Sequence, residues 1–199
     1  TIIRQVGDIG RMVDEFSSFA RMPKPTFQAV NLAEPIRNAV FLMQVGSPDI
    51  DFVVEMERPE DLQAKVDVGL ISQALTNLMK NASEAIAAVP AAQATGKGTI
   101  RVLAAAKDAQ IVIDIVDNGI GLPAENRHKL LEPYVTTREK GTGLGLAIVK
   151  KIIEDHGGKL DLLDAPAVAS GGRGAMVRIV LPAAPAQAAA EPVAADAVA

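Results

Sequence analysis

The stretch "QIVIDIVDNGIGLP", residues 110–123, decides how the rest of the chain is read. Its first residues alternate as a strand does: Ile111, Ile113, Ile115 and Asp117 share one face, and Val112, Asp114 and Val116 the other. Asp114 marks the second face as the wetter one, so Asp117 turns inward at the strand end, on the apolar side. A carboxylate there is costly unless donors meet it. Asn118-Gly119 and Gly121 let the backbone turn sharply and leave space beside it. Two readings follow. Either Asp117 caps the turn after its strand, or it accepts a hydrogen bond from the exocyclic amine of an adenine, directly or through water.

Working upstream, "TIRVLAAA" (99–106) and a polar Lys107-Asp108 turn predict an antiparallel hairpin with the opening stretch. "PAAQATGKG" (90–98) reads as a loop. Before it, Asp67 is the predicted N-cap of a long helix running to about Ala88. Val68, Ile71, Leu75, Leu78, Ala82 and Ala85 give that helix one apolar stripe for packing on a sheet. Gln73, Asn77, Asn81 and Glu84 line up beside the stripe. Asn is a poor mid-helix residue, because its amide competes with the backbone for hydrogen bonds. The line is either a solvated polar edge or a row of side-chain oxygens facing a hydrated divalent cation, the ligand type that Mg²⁺ prefers. Further upstream "LAEPIRNAVFLMQV" (32–45) reads as a helix, and "DFVVEME" (51–57) and "LQAKVD" (62–67) as strands.

Downstream, residues 118–142 are rich in Gly, Pro, Thr and charge, with a short helix expected near 124–131. Then comes "KGTGLGLAIVKKIIEDHGG" (140–158), with glycines at 141, 143 and 145 and a helix predicted over 143–156. A dinucleotide-binding fingerprint opens a helix directly after a parallel strand, and no strand precedes this loop. No Gly-Lys-Ser/Thr ending makes it a P-loop either. Its backbone N–H groups at a helix N-terminus still suit an anion, with Lys140 and Thr142 as further donors. The helix ends on His156, before a Gly157-Gly158 C-cap. Strands "KLDLLD" (159–164) and "AMVRIVLP" (175–182) complete the pattern, giving an α/β chain.

Composition bounds the function. The 199 residues are 49% hydrophobic and 22% charged with 3% aromatics, so Ile, Leu, Val, Ala and Met must build the core. A net charge of −4 argues against broad electrostatic binding to nucleic acid or an anionic membrane. Without cysteine there are no disulfides, thiolate metal sites or thiol catalysis. No run of about 18 apolar residues and no signal-peptide pattern is present. The chain opens on Thr1 inside a heptad seam formed by Ile2, Val6, Ile9, Val13, Phe16 and Ala20, which Pro23 and Pro25 end. A fragment of a longer protein, entering through a partner-seeking helix, is expected. Residues 183–199 are mostly Ala with Pro and scattered acids, and are expected to be disordered.

The order of these segments resembles the catalytic and ATP-binding domain of sensor histidine kinases, in the superfamily that contains Hsp90, gyrase B and MutL. "NLMKNASEA" (77–85) resembles the N box, "DNGIGLP" (117–123) the G1 box and "GTGLGL" (141–146) the G2 box. "EPYVTT" (132–137) is similar to the F box, with Tyr134 where phenylalanine is usual. "RMVDEFSSFARMPKP" (11–25) resembles the end of the second dimerisation helix of nitrogen-regulation kinases, most closely the NtrY type.

The resemblance implies a two-layer α/β sandwich: a mixed sheet with helices on one face, and a lid over ATP. It divides the chain into the end of the dimerisation helix (1–25), the catalytic and ATP-binding domain (26–182) and the tail (183–199). Asn81 would ligate Mg²⁺, Asn77 would help position metal and phosphates, and Asp117 would bind the adenine amine, with Gly119 and Gly121 making room. Lys140, Gly141, Thr142, Gly143, Leu144 and Gly145 would surround the phosphates, with Tyr134 in the F box beside them. Asn77, Asn81 and Lys140 would carry catalysis. Glu84 stands where many relatives carry a basic residue, and Ala175 where threonine or serine is common.

ATP-hydrolysing relatives carry a glutamate at the place of Asn77, which acts as general base; Asn77 cannot take a proton, so slow hydrolysis and transfer to another nucleophile are implied. The family's acceptor histidine lies in a motif resembling His-Glu-x-x-Asn-Pro, which these residues do not contain. His128 reads as a surface residue, and His156 lies roughly 20 Å from Gly143 along its helix, too far for transfer. The implied partners are the chain's own dimerisation and phosphoacceptor domain, in a homodimer, and a response-regulator receiver domain. Neither nucleic acid nor direct membrane contact is expected of this cytoplasmic part of a bacterial inner-membrane kinase. An ATP-driven conformational switch, or a serine kinase of the anti-sigma type, is the alternative within the superfamily.

Overall fold

Period-two apolar alternation in the strands and three-to-four spacing in the helices commit both to one shared interface. The computed structural model describes residue 10 and residues 24–93, 96–136, 142–170 and 172–184. In chain order the elements are β1 (Gln28–Asn31), α1 (Ala33–Gly46), β2 (Ile50–Met56), β3 (Gln63–Val66) and α2 (Val68–Ala87). They continue with β4 (Gly98–Lys107), β5 (Gln110–Asp117), α3 (Gly145–Asp155), β6 (Lys159–Asp164) and β7 (Ala175–Pro182). The expected heptad helix of 1–22 (Gly10 apart), Thr137, Lys140, Gly141 and the tail beyond Ala184 lie outside the described residues.

The main sheet has five strands in the order β2-β4-β5-β7-β6. Only β2 and β4 run parallel; β4-β5, β5-β7 and β6-β7 are antiparallel, so the sheet is mixed as expected. The β4-β5 hairpin turns at Asp108-Ala109, both left-handed, at φ 50° and 60°. Ile100, Val102, Ala104, Ile111, Ile113, Ile115, Leu160, Ile179 and Leu181 are buried on one face. Against them pack Ile36 and Val40 of α1, Ile71, Leu75 and Leu78 of α2, and Ile148, Val149 and Ile152 of α3. Three helices on one face of the sheet make the two-layer sandwich. Each such fully buried branched side chain contributes about 1.5–3 kcal/mol.

Four differences from the sequence reading have physical reasons. Gln28–Asn31 form a second, two-stranded sheet with β3, although "QAVN" carries too little alternation to signal a strand. The helix expected over 124–131 is a 3₁₀ turn over Arg127–Leu131, because Asn126 just before it is left-handed at φ 56°. The helix expected from 143 starts at Gly145, since Gly143, at φ 69°, is left-handed. Asp114, read as the mark of a wet face, is only 8% exposed. Its register partner across β5-β7 is Arg178, whose Nε and Nη2 donate to Oδ1 and Oδ2, both at 2.7 Å. The face is solvent-facing elsewhere, as exposed Val53 shows, but the fork covers this carboxylate.

Candidate functional site

The N-terminus of α2 is fixed before the site begins. Asp67 caps it by accepting from Leu70 N–H at 3.1 Å, and Thr26 N–H donates to the other carboxylate oxygen at 2.9 Å. These two backbone donors hold the Asp67 carboxyl below its ordinary range, Thr26 contributing most. The buried stripe of α2 then decides which polar residues lean inward. Asn77 and Asn81 border the stripe and are half-buried, whereas Gln73 and Glu84, at the ends of the predicted line, are exposed. The polar line thus splits into an inner amide pair and two solvated ends.

The end of β5 is riveted to the last turns of this helix. Gly119 passes so close to α2 that a Cβ there would sit 2.5 Å from Ala85 C and 2.7 Å from Ile86 N. No residue but glycine allows that approach without a shift of backbone. The next residue, Ile120, donates its N–H to Ala85 O at 3.1 Å. Asn118 ties the turn to β4: its side-chain oxygen accepts from Thr99 N–H at 2.8 Å and its amide donates to Lys97 O at 3.0 Å. Asp117, 7% exposed, lies at the hub. Its Oδ1 accepts from Gly119 N–H at 2.8 Å and from Ala175 N–H at 3.3 Å. Both readings of Asp117 therefore rest on one geometry, because the turn cap through Oδ1 fixes the carboxylate plane. Gly121 stands against the Gly174 backbone across the turn.

At the start of α3 the glycine loop reaches Asn81. Gly145 opens α3, and a Cβ placed on it would lie 3.9 Å and 4.0 Å from the Asn81 amide nitrogen and oxygen. Leu144, which precedes α3, makes no side-chain capping bond, and its own N–H donates to Thr142 Oγ at 3.4 Å. Tyr134, exposed and left-handed at φ 66°, donates its N–H to Gly143 O at 3.0 Å and pins the F-box segment to the glycine loop. Arg127 anchors the intervening 3₁₀ turn through Pro123 O at 2.7 Å and Asp164 Oδ1 at 2.6 Å.

Contacts join Asn81 to Gly145, Asp117 to Gly119 and Ala175, Gly121 to Gly174, Thr142 to Leu144 and Tyr134 to Gly143, while Asn77 lies one turn before Asn81 on α2 and Lys140 and Gly141 fall outside the described residues. His128 is exposed. His156 is buried at the far end of α3, where Nδ1 pairs with Ile152 O at 2.7 Å and Nε2 accepts from Asp67 N–H at 3.0 Å. Phe27 packs edge-on against its ring at 5.2 Å. With both nitrogens engaged, His156 joins α3 to the start of α2 and is no phosphoryl acceptor. Sequence reasoning missed this link and the Arg178–Asp114 pair. The second was within reach, since aligning the two predicted strands sets Asp114 opposite Arg178.

The donor set suits a magnesium nucleotide. Mg²⁺ keeps several waters and takes only one or two protein ligands beside substrate phosphates. One half-buried amide oxygen next to a helix N-terminus meets that need.

Comparison with known proteins identifies the family. Residues 66–185 match the family described as histidine kinase-, DNA gyrase B- and HSP90-like ATPase. The nitrogen regulation protein NtrY of Azorhizobium caulinodans is 61% identical over 181 residues, which cover 91% of this chain and 23% of that protein. The chain thus spans about a quarter of the length of NtrY and of the NtrY-like kinases it matches. Full-length ShkA, solved in complex with AMPPNP, has a TM-score of 0.75 at 26% identity, covering 94% of this chain and 39% of ShkA. Histidine kinase ThkA, solved in complex with the response regulator protein TrrA, has a TM-score of 0.73 at 26% identity, covering 94% of this chain and 51% of that one.

Proposed function

Because the chain belongs to the histidine kinase-, DNA gyrase B- and HSP90-like ATPase family, we propose that it is the ATP-binding catalytic part of an NtrY-like sensor histidine kinase. The observation that carries the reading is the convergence of three distant segments. Asn81 on α2 meets Gly145 at the start of α3, and the Asp117 turn is locked onto the same helix through Gly119. In this reading the adenine amine donates to Asp117, and backbone N–H groups of Gly143, Leu144 and Gly145 meet the phosphates. Asn81 holds Mg²⁺, with Asn77 one turn away orienting metal and phosphates. The metal, when bound, neutralises charge on the phosphate oxygens.

Asn77 bears on what happens next. An amide cannot take a proton from water, so water at this site lacks a general base. The γ-phosphate is then kept for a better nucleophile. An imidazole nitrogen of the phosphoacceptor domain attacks the γ-phosphorus in line, the bond to the bridging oxygen breaks, and ADP leaves with that electron pair. The phosphoryl group passes on to an aspartate of a response regulator. ThkA, crystallised with such a regulator, supports this partner. Dimerisation through the segment before residue 26, and a membrane anchor elsewhere in the whole protein, belong to the same proposal. Among the described residues no helix is long and apolar enough to cross a membrane.

Transfer of label from [γ-³²P]ATP tests the reading. The chain is expected to label a separately supplied phosphoacceptor domain bearing its histidine, and not itself. Self-labelling that survives replacement of both His128 and His156 would contradict it.

A further inference from the structure

The segment just before β7 carries a side chain that joins two loops at the edge of the site. Arg173 is half-buried, and its guanidinium bridges loops distant in sequence. Nε donates to Asn118 O at 3.2 Å, and Nη1 donates to Gln93 O, in the 3₁₀ turn Ala91–Gln93 that follows α2. The residues after it close on the same turn. Gly174 runs so near Asp117 that a Cβ would lie 1.9 Å from Asp117 O, and Ala175 N–H donates to Asp117 Oδ1. Three consecutive residues therefore grip Asp117 and Asn118: a guanidinium on one carbonyl, bare backbone against the other, and an amide on the carboxylate.

We propose that Arg173 is a positioning residue for base recognition, which sets the Asp117 carboxylate by clamping the Asn118 carbonyl to the Gln93 loop. The proposal rests on Asp117 being the adenine acceptor. The planar fork of an arginine suits two carbonyls approaching from different loops, whereas a lysine offers a single point charge on a flexible stem. Asn118 is already held on its other side by Thr99 and Lys97, so Arg173 completes a frame around the turn. Without the clamp, the Asn118–Gly119 peptide loses its carbonyl anchor and keeps only the Gly119 N–H bond to Asp117 Oδ1 to set its tilt. Asp117 Oδ1 then loses the registry of its Gly119 and Ala175 donors. The carboxylate still exists, but its aim at the base is lost. The effect falls on discrimination between bases more than on phosphate contacts, which come from the other side of the site.

The test is equilibrium binding of ATP and of GTP to the whole 199-residue chain, for wild type, Arg173→Ala, Arg173→Lys, Asp117→Asn and the double variant Arg173→Ala/Asp117→Asn. Loss of a charge-assisted hydrogen bond predicts that R173A weakens ATP about five- to tenfold. R173K is expected to lose about threefold, since one contact can survive. GTP, which presents no exocyclic amine at the adenine position, should change little, so the ATP-over-GTP preference narrows. On the Asp117→Asn background R173A should have no further effect, because it acts through that carboxylate. If R173A melts below the assay temperature, R173K carries the same comparison. Equal loss for ATP and GTP, or an unchanged loss on the Asp117→Asn background, would show a merely structural arginine and overturn the proposal. Unaltered ATP binding in R173A beside strong loss in D117N overturns the proposal and spares the site reading. Unaltered binding in D117N removes the site reading, and this proposal with it.

Discussion

Adding one methyl group at Gly119 tests the packing that builds the site. An alanine Cβ would meet Ala85 C at 2.5 Å, Ala85 O at 2.7 Å and Ile86 N at 2.7 Å. Unbonded heavy atoms sit at about 3.5–4.0 Å, so the turn must retreat from α2 by roughly an ångström. The atoms in the way are helix backbone, which cannot swing aside as a side chain would. That retreat stretches Ile120 N–H to Ala85 O, now 3.1 Å, and Gly119 N–H to Asp117 Oδ1, now 2.8 Å. Overpacking costs about 1–3 kcal/mol, and each weakened hydrogen bond adds about 0.5–1.5 kcal/mol. Partial relaxation brings the expected total to about 2–4 kcal/mol. For a chain of this size, that is a fall in melting temperature of about 4–15 °C. Nucleotide affinity should fall as well, because the relaxation moves Asp117. Gly46→Ala, at the last residue of α1, is the matched control, since an added methyl there meets nothing within 4 Å. It should melt at or slightly above wild type, since alanine is the better helix former. Scanning calorimetry and ATP titration read both effects. A Gly119→Ala protein that melts within a degree of wild type and binds ATP unchanged would refute this reasoning.

Arg178→Ala should cost more than Asp114→Ala. The Arg178 side chain is 39% exposed and can turn to water when its partner goes, whereas Asp114, at 12%, is left stranded. We expect about 2 kcal/mol for the arginine variant, below the cost of breaking a fully buried pair because of that exposure, and about half that for the aspartate variant, by urea unfolding. Asp67→Ala should cost about 1–2 kcal/mol through loss of the α2 cap. Since folding lowers the Asp67 pKa, its contribution is complete above the ordinary aspartate range and drains away as pH falls through the folded value. The gap between wild type and Asp67→Ala should therefore close in acid, and a gap that stays constant to low pH would contradict the assignment.

Much of this molecule is legible in its sequence because strong periodicity and special residues coincide. The stripe of α2, the β4-β5 hairpin and the inward Asp117 each follow from spacing alone, since burial enforces one face per element. The Asn77–Asn81 pair stands out because asparagine is disfavoured where it sits. What stayed hidden depends on tertiary partners. β1 is too short to carry a pattern and exists through pairing with β3. Asp114 reads as a wet residue until Arg178 arrives from β7. His156 looks like a plain helix ending, because its value lies in Asp67 N–H and Phe27, both far away in the chain. Arg173 sits in a glycine-rich connection, where a charged side chain reads as solvated. Its two carbonyl acceptors become visible only once the turn after β5 is folded.

Under the proposed function, Asp117 and Asn81 hold the two ends of one magnesium nucleotide. Titration calorimetry with ATP, with and without Mg²⁺, on wild type, Asp117→Asn and Asn81→Asp tests it most directly. Asp117→Asn is expected to weaken binding about tenfold or more in either condition, because its one remaining oxygen is held by Gly119 and Ala175 N–H and an NH2 donor then faces the amine of the base. Asn81→Asp should change chiefly the increment that Mg²⁺ adds. Affinities in both variants that match wild type, with and without the metal, would contradict it.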